Sequence, residues 1–471
     1  MQQERLKTAF EADSFKKIGH QLIDDLAEHL DRSINNSTSK TLFWNTPEDE
    51  ANYWKDVLEN GSKGQLFDTI IERSIHIHNP KYIGHQVNPT LPITGLSSML
   101  SSILNNGMGV YEMGVAATAI EKVITDLLCK KVGWNANSTG FLTSGGTMAN
   151  ITALLAARQH YDGNIWKEGN PNRQIAIMVS EQAHYCVDRA ARIMGLGEKG
   201  VIKIPVNSKF CMDLEALQQA YQTAKNNNID VIAIVGSAPS TATGMFDNLD
   251  AIANFCQEQN IWFHIDAAHG GGAIFSKKYK SLLKGSEHAD SIVIDGHKMC
   301  MMPALNTALL FKNGQHSYNT FAQKADYLLT SSKEDWYNLA KRTFECTKHM
   351  MSIHWMTILK YHGEQIFDDY VTTVFDLGEQ FYDILKPETD FEVLIKPMSN
   401  IICFRYVQPN LNSEQLNGIN NKIRQRILED GKFYIVQTTL NQKVYLRMTI
   451  MNPFTTISHF KDLLQQIRAF A

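Results

Sequence analysis

The sequence predicts an α/β fold: a mostly parallel central sheet, a smaller α+β C-terminal domain and a helical N-terminal segment. Three observations predict it. Short apolar runs recur from about residue 140, at 175–179 (IAIMV), 231–235 (VIAIV), 261–265 (IWFHI), 291–294 (SIVI) and 307–311 (TALLF). Segments of helix length separate the first four of them, such as 248–260. From about 345 a helical stretch (345–386) gives way to alternating strands at 400–407 and 443–450. Unbroken apolar runs suit strands covered on both faces, and alternation suits strands wet on one face.

Taken in order, residues 8–31 read as an amphipathic helix, with Phe10, Phe15, Ile18, Leu22, Leu26 and Leu30 near helical spacing. Residues 32–65 are polar and turn-rich and read as a connector. Residues 92–130 read as helical, with Ala116, Ile120, Val123, Ile124 and Leu127 on one stripe. The expected domains are 1–90, a helical segment packing on a dimer partner, then 91–345, the large α/β domain, and 346–471, the small one.

Bulk composition narrows the function classes. The 471 residues are 44% hydrophobic and 20% charged, with a formal net charge of -4. No basic excess is available to neutralise phosphates, so a nucleic-acid partner is not expected. The seven cysteines are dispersed without a CxxC pair, which fits a reducing cytoplasm better than a disulfide or zinc framework. The N-terminus lacks an apolar signal core, and no run is apolar for long enough to span a bilayer. His76, His78 and His85 crowd together, but no cysteine or carboxylate lies at ligand spacing, so no metal is expected. Residues 195–200 (GLGEKG) spell GxGxxG. They lie between a helix and a strand, the reverse of the dinucleotide order, and read as a turn.

In open parallel sheets ligands gather at the carboxyl ends of strands. The residues just after each apolar run are therefore informative. The first run leads to His184, the second to a hydroxyl cluster with Thr241, the third to Asp266, and the fourth to Asp295-Gly296-His297-Lys298. Residues 143–159 add a Gly145-Gly146 turn opening into a helix, whose free N–H groups form an anion site. A phosphate cradle, a strand-end aspartate, a planar histidine and a lysine in a buried context together suggest pyridoxal 5'-phosphate (PLP). Lys298 supplies the amine for its aldehyde, Asp266 the acidic partner of its ring nitrogen, and His184 a stacking surface.

The same stretches resemble the group II PLP-dependent amino-acid decarboxylases, of the glutamate, aromatic-L-amino-acid and L-2,4-diaminobutyrate type. The carrying motifs are TSGGTMANITALLAAR (143–158), SEQAHYCVDRA (180–190), HIDAAHGGG (264–272), DGHKM (295–299) and YLRMTIMNP (445–453). The likeness runs in order from about residue 75 to the C-terminus. It implies PLP fold type I, the aspartate-aminotransferase-like fold. It also implies a homodimer with active sites at the interface, and decarboxylation of an L-amino acid to its amine and CO₂.

By that resemblance Lys298 binds the cofactor aldehyde as an imine, Asp266 pairs with the ring nitrogen and His184 stacks on the ring. Gly145, Gly146, Thr147, Asp295 and His297 surround the phosphate. Ala268 lies against the other ring face, and Thr241 takes the position of a family threonine. Arg447 holds the substrate α-carboxylate. Asp295 stands where relatives commonly carry asparagine, which sets a carboxylate beside a phosphate dianion. In the catalytic-loop region (325–344) Tyr337 is taken as the proton donor, with Tyr327 structural. His85 falls at a substrate-contacting position. The 78–92 segment and YEMG (111–114) favour a short polar substrate such as diaminobutyrate, glutamate or aspartate. Aromatic-amino-acid decarboxylation, and a decarboxylation-dependent aldehyde synthase on the same fold, remain open alternatives.

Overall fold

The computed structural model describes residues 2–35, 37–38, 40–321 and 336–471. It divides the chain into two compact units, one of Gln86–Tyr382 with Ile395–Ile402, the other of Met1–His85, Asp383–Leu394 and Cys403–Ala471.

The larger unit is built on a seven-stranded sheet. Its strands are β1 (Thr139–Thr143), β2 (Ile175–Ser180), β3 (Val201–Ile204), β4 (Asp230–Ser237), β5 (Trp262–Asp266), β6 (Ser291–Asp295) and β7 (Thr307–Phe311), in the spatial order β1-β7-β6-β5-β4-β2-β3. From β6 to β3 every pairing is parallel, and β7 runs antiparallel to both β6 and β1. All five apolar runs of the sequence are strands here. They are buried because helices cover them, the expectation for parallel sheets. The helix Gly146–Tyr161 packs on the sheet through Ala149, Ala153, Ala156 and Ala157, each almost wholly buried. Alanine on that face lets the helix axis come close to the strands.

β1 ends in a buried polar knot. Lys348 donates to Glu121 and to the Leu142 carbonyl, both at 2.5 Å, while Glu121 accepts from the Leu142 N–H at 3.0 Å. Both side chains are almost fully buried. Removing one partner strands a charge in the core. Lys348→Ala is therefore expected to lose about 3–5 kcal/mol of stability. Urea unfolding measures this, and a Glu121→Gln/Lys348→Met double variant should recover part of the loss.

In the smaller unit a four-stranded sheet is formed by β8 (Phe391–Val393), β9 (Ile401–Tyr406), β10 (Val436–Leu440) and β11 (Lys443–Thr449), in the order β10-β11-β9-β8. The β8–β9 and β10–β11 pairs are antiparallel.

Three sequence expectations need correction. The N-terminal helix is two helices, Gln2–Ala9 and Ala12–Ile34, interrupted where Glu11 turns to an extended backbone (ψ 119°). The 32–65 connector contains a 14-residue helix, Pro47–Asn60. Its start is locally encoded: Thr46 caps the Asp49 N–H, Pro47 sits in the first turn, and Glu48, Asp49 and Glu50 favour the positive dipole end. The 92–130 stretch is likewise two helices, Pro92–Leu104 and Val115–Val132, because Asn105 adopts a left-handed conformation that ends the first. Among the described residues no helix is long and apolar enough to cross a membrane.

Candidate active site

The order of the sheet places the strand ends together. The chain leaves β2 for β3 at the edge, then returns to the other side of β2 for β4. That reversal opens a crevice beyond the carboxyl ends of β2 and β4. His184 comes after β2, Ser237 closes β4, Asp266 closes β5 and Asp295 closes β6. Register carries the alignment across, since Ser237 pairs with Asp266 and Asp295 with Thr307.

A cavity of about 310 Å³ lies over these ends. Gly145, Gly146, Thr147, His184, Thr241, Asp266, Ala268, Asp295, His297 and Lys298 all line it. The convergence inferred from the strand ends is thus present. Gly145 precedes the helix with φ +106°, a backbone that side chains rarely adopt. A Cβ on Gly146 would meet both Asp295 carboxylate oxygens at 3.3 Å and the Ala268 methyl at 3.4 Å. Bare backbone is needed there, with the first N–H groups of a 16-residue helix beside it.

Asp295 is 1% exposed and faces concentrated positive charge. Its Oδ2 lies 2.9 Å from Lys298 Nζ and 3.5 Å from His297 Nε2, and its Oδ1 accepts from Thr307 Oγ1 at 2.6 Å. Burial pushes the carboxyl up, but the Lys298 and His297 charges and the Thr307 hydroxyl together hold it below the usual range. Burial pushes Lys298 down, and Asp295 more than restores it, so the amine sits above the ordinary lysine range. The carboxylate's contribution to stability is lost on acidification and the lysine's on strong alkalinisation, so the pair is intact at neutral pH. Asp295→Asn removes the charge that raises Lys298. In cofactor-free protein at mildly alkaline pH, Lys298 should then be acylated faster than in the parent, as read by peptide mass spectrometry. An unchanged rate would show that Asp295 does not control this amine.

Asp266 Oδ1 accepts from the Ala268 N–H at 3.1 Å, which fixes the carboxylate at the strand end. Burial, and then Lys298, hold the His184 imidazole below its ordinary pKa against the pull of Asp266 and Asp295, which favours a neutral ring.

Sequence reasoning missed several supports. Asn150 lines the cavity and donates to the Gly146 carbonyl at 2.9 Å; its spacing of four from Gly146 was an available signal. Glu345 Oε1 accepts from Thr143 Oγ1, Ser144 N and Ser144 Oγ at 2.7–3.0 Å, gripping the turn before Gly145. Asn88 donates to the Lys298 carbonyl at 2.8 Å. The last two cross some 200 positions of chain, and no local pattern announces them.

Three expected residues are not on the cavity wall. Tyr337 packs edge-on against Tyr111, with ring centroids 5.7 Å apart. Tyr327 lies outside the described residues, as does most of the expected catalytic loop. His85 and Arg447 belong to the smaller unit, where His85 lies 5.6 Å from the Tyr434 ring and Arg447 is buried in β11 opposite Val436. Burial, Arg447 and Arg424 all hold the His85 pKa down.

The donor set fits PLP: a glycine turn at a helix start, a strand-end carboxylate, a flat imidazole and an amine, all on one cavity. The pyridoxal-dependent decarboxylase conserved domain matches residues 39–407. An L-2,4-diaminobutyrate decarboxylase of Acinetobacter baumannii is 27% identical over 424 residues, covering 86% of this chain and 83% of its own. An aromatic-L-amino-acid decarboxylase of Bacillus atrophaeus is 25% identical over 468 residues, with 98% and 96% covered. The fold also matches the crystal structure of the glutamate decarboxylase domain of diaminobutyrate-pyruvate transaminase and L-2,4-diaminobutyrate decarboxylase from Vibrio parahaemolyticus. That match has a TM-score of 0.84 at 25% identity and covers 96% of this chain and 95% of the other. A family match over most of the length, on a fold its solved relatives share, leaves one assignment: the chain belongs to the pyridoxal-dependent decarboxylase family and is a PLP-dependent amino-acid decarboxylase.

Proposed function

We propose that this enzyme decarboxylates a short polar L-amino acid, of the diaminobutyrate, glutamate or aspartate kind, to its amine. What supports this reading is that relatives acting on short polar amino acids match much of the chain: besides the diaminobutyrate decarboxylase, an aspartate 1-decarboxylase of Aliivibrio fischeri is 28% identical over 449 residues, covering 85% of this chain and 80% of its own. Arg447 binds the substrate α-carboxylate. His85 faces the substrate side chain in a neighbourhood made cationic by Arg447 and Arg424.

Bound PLP supplies an aldehyde for the substrate amine and an electron sink for the bond broken at Cα. The chain's own residues do the rest. The N–H groups of the Gly145–Thr147 turn hold the phosphate. Asp266 would set a negative charge against the ring nitrogen, His184 and Ala268 would hold the ring between them, and Thr241 would close the side beyond β4. Lys298 would present its amine to the aldehyde, Asp295 would hold the proton of that amine when it is free, and His297 would lie beside the phosphate. Arg447 would bind the substrate carboxylate and fix its orientation for the bond to be broken. Tyr337 returns the proton to Cα.

The enzyme works as a homodimer, with active sites at the interface. Leu6, Phe10, Phe15 and Ile18 of the N-terminal helices stand more than half exposed, with Phe10 at 86%, and a second copy would cover them. All seven cysteines are free thiols, in keeping with a cytoplasmic location.

The test is a panel of amino acids offered to the PLP-loaded enzyme, with released CO₂ and amine both measured. Diaminobutyrate, glutamate or aspartate should react best, with one amine formed per CO₂. Reaction with aromatic acids alone would refute the substrate class, and an aldehyde in place of the amine would refute simple decarboxylation.

A further inference from the structure

His264 lies in the middle of β5, fully buried, in a fold whose chemistry is at the strand ends. A buried imidazole needs partners at both nitrogens. Here Nδ1 lies 2.8 Å from Ser291 Oγ, and Nε2 lies 2.8 Å from Asn150 Oδ1. Ser291 Oγ in turn accepts from Trp262 Nε1 at 3.0 Å, and Asn150 Nδ2 donates to the Gly146 carbonyl at 2.9 Å. His264, Asn150, Ser291 and Trp262 are all 3% exposed or less.

The Asn150–Gly146 bond assigns the protons along this chain. The Gly146 carbonyl only accepts, so the Asn150 amide must turn its NH₂ toward it and its oxygen toward His264. Nε2 must therefore carry the imidazole proton. Nδ1 then accepts from the Ser291 hydroxyl, which is free to donate because Trp262 already donates to its oxygen. Burial pushes the His264 pKa down to about 4, so the ring stays neutral. The result is a one-way sequence of donors running from Trp262 to the first turn of the cofactor-side helix. The C=O and N–H of one trans peptide point in opposite directions. Holding the Gly146 carbonyl along the helix aims the Thr147 N–H back toward the cavity.

We infer that His264, acting through Asn150, is a positioning residue that sets the Gly146–Thr147 peptide and so makes the enzyme select the phosphorylated form of its cofactor. The inference rests on the proposed seat of the phosphate at Gly145–Thr147. His264 touches neither cofactor nor substrate; its effect is on the aim of one N–H.

The test compares binding of PLP with binding of pyridoxal, which lacks the phosphate, by titrating full-length cofactor-free enzyme. His264→Asn keeps an acceptor for Ser291 but cannot reach Asn150. His264→Gln keeps an N–H near the place of Nε2. His264→Asn should weaken PLP by about tenfold or more while changing pyridoxal by no more than about twofold. His264→Gln should restore most of the discrimination. Gly146→Ala, which fills the cradle, serves as the control for the phosphate seat. Parent-like discrimination in His264→Asn alongside impaired Gly146→Ala would overturn the relay and leave the seat standing. Parent-like discrimination in both would overturn the seat itself. Equal weakening of both ligands by His264→Asn would show a merely structural histidine. Should His264→Asn fail to fold, 15N–1H spectra of the histidine-labelled parent decide. The proton should sit on Nε2 throughout about pH 6 to 8, and a proton on Nδ1, or a charged ring in that range, would overturn the relay.

Discussion

Lys298→Ala is expected to lower decarboxylation by at least about three orders of magnitude, because among the described residues no other amine lines the cavity to receive the cofactor aldehyde. Stability complicates this variant. Asp295 is buried, and without Lys298 it keeps only His297 at 3.5 Å and the Thr307 hydroxyl. A folding defect could then imitate a chemical one. Lys298→Arg separates the two, since a guanidinium keeps the charge beside Asp295 and cannot form the required bond at neutral pH. It should unfold at a denaturant concentration near that of the parent and remain as inactive as the alanine variant. Substantial turnover by either variant would remove Lys298 from the chemistry.

Asp266→Asn should lower kcat by about a hundredfold or more with cofactor still bound. The exchange is nearly isosteric. An asparagine oxygen can still accept from the Ala268 N–H, so the strand end keeps its shape. Only the negative charge proposed to face the ring nitrogen is lost, and with it the support that charge would lend to the electron sink. The measurement is kcat at saturating substrate and cofactor, with cofactor content determined on the same samples. A loss confined to cofactor affinity would make Asp266 a binding group with no electronic role.

These residues are legible in the sequence for a physical reason. A buried parallel strand is an unbroken apolar run, its end is marked by the first polar residue, and ligands sit at that end. Asp266, Asp295 and His184 can therefore be placed on one edge before any coordinates. Gly145 and Gly146 are legible because a helix start that must approach a phosphate has little use for a Cβ. What the sequence hides falls into two kinds. β8 and β10 are short or alternate too weakly to announce themselves, and the helix Pro47–Asn60 is masked by its polar surroundings although its Thr-Pro-acidic start is written plainly. The supports of the site are hidden for a deeper reason. Glu345 reaches Ser144, Asn88 reaches Lys298, and His264 reaches Asn150 only after the sheet has brought distant segments together. His264 is a single polar letter in an apolar run, and one letter does not reveal its partners.

Everything proposed for the site depends on which nitrogen binds the vitamin. Hydride reduction of the PLP-loaded enzyme, then peptide mass spectrometry, reads that nitrogen out. The pyridoxyl mass should appear on the peptide carrying Lys298 and on no other. Its appearance on another lysine, or its absence from a protein that holds PLP, would contradict the site described here.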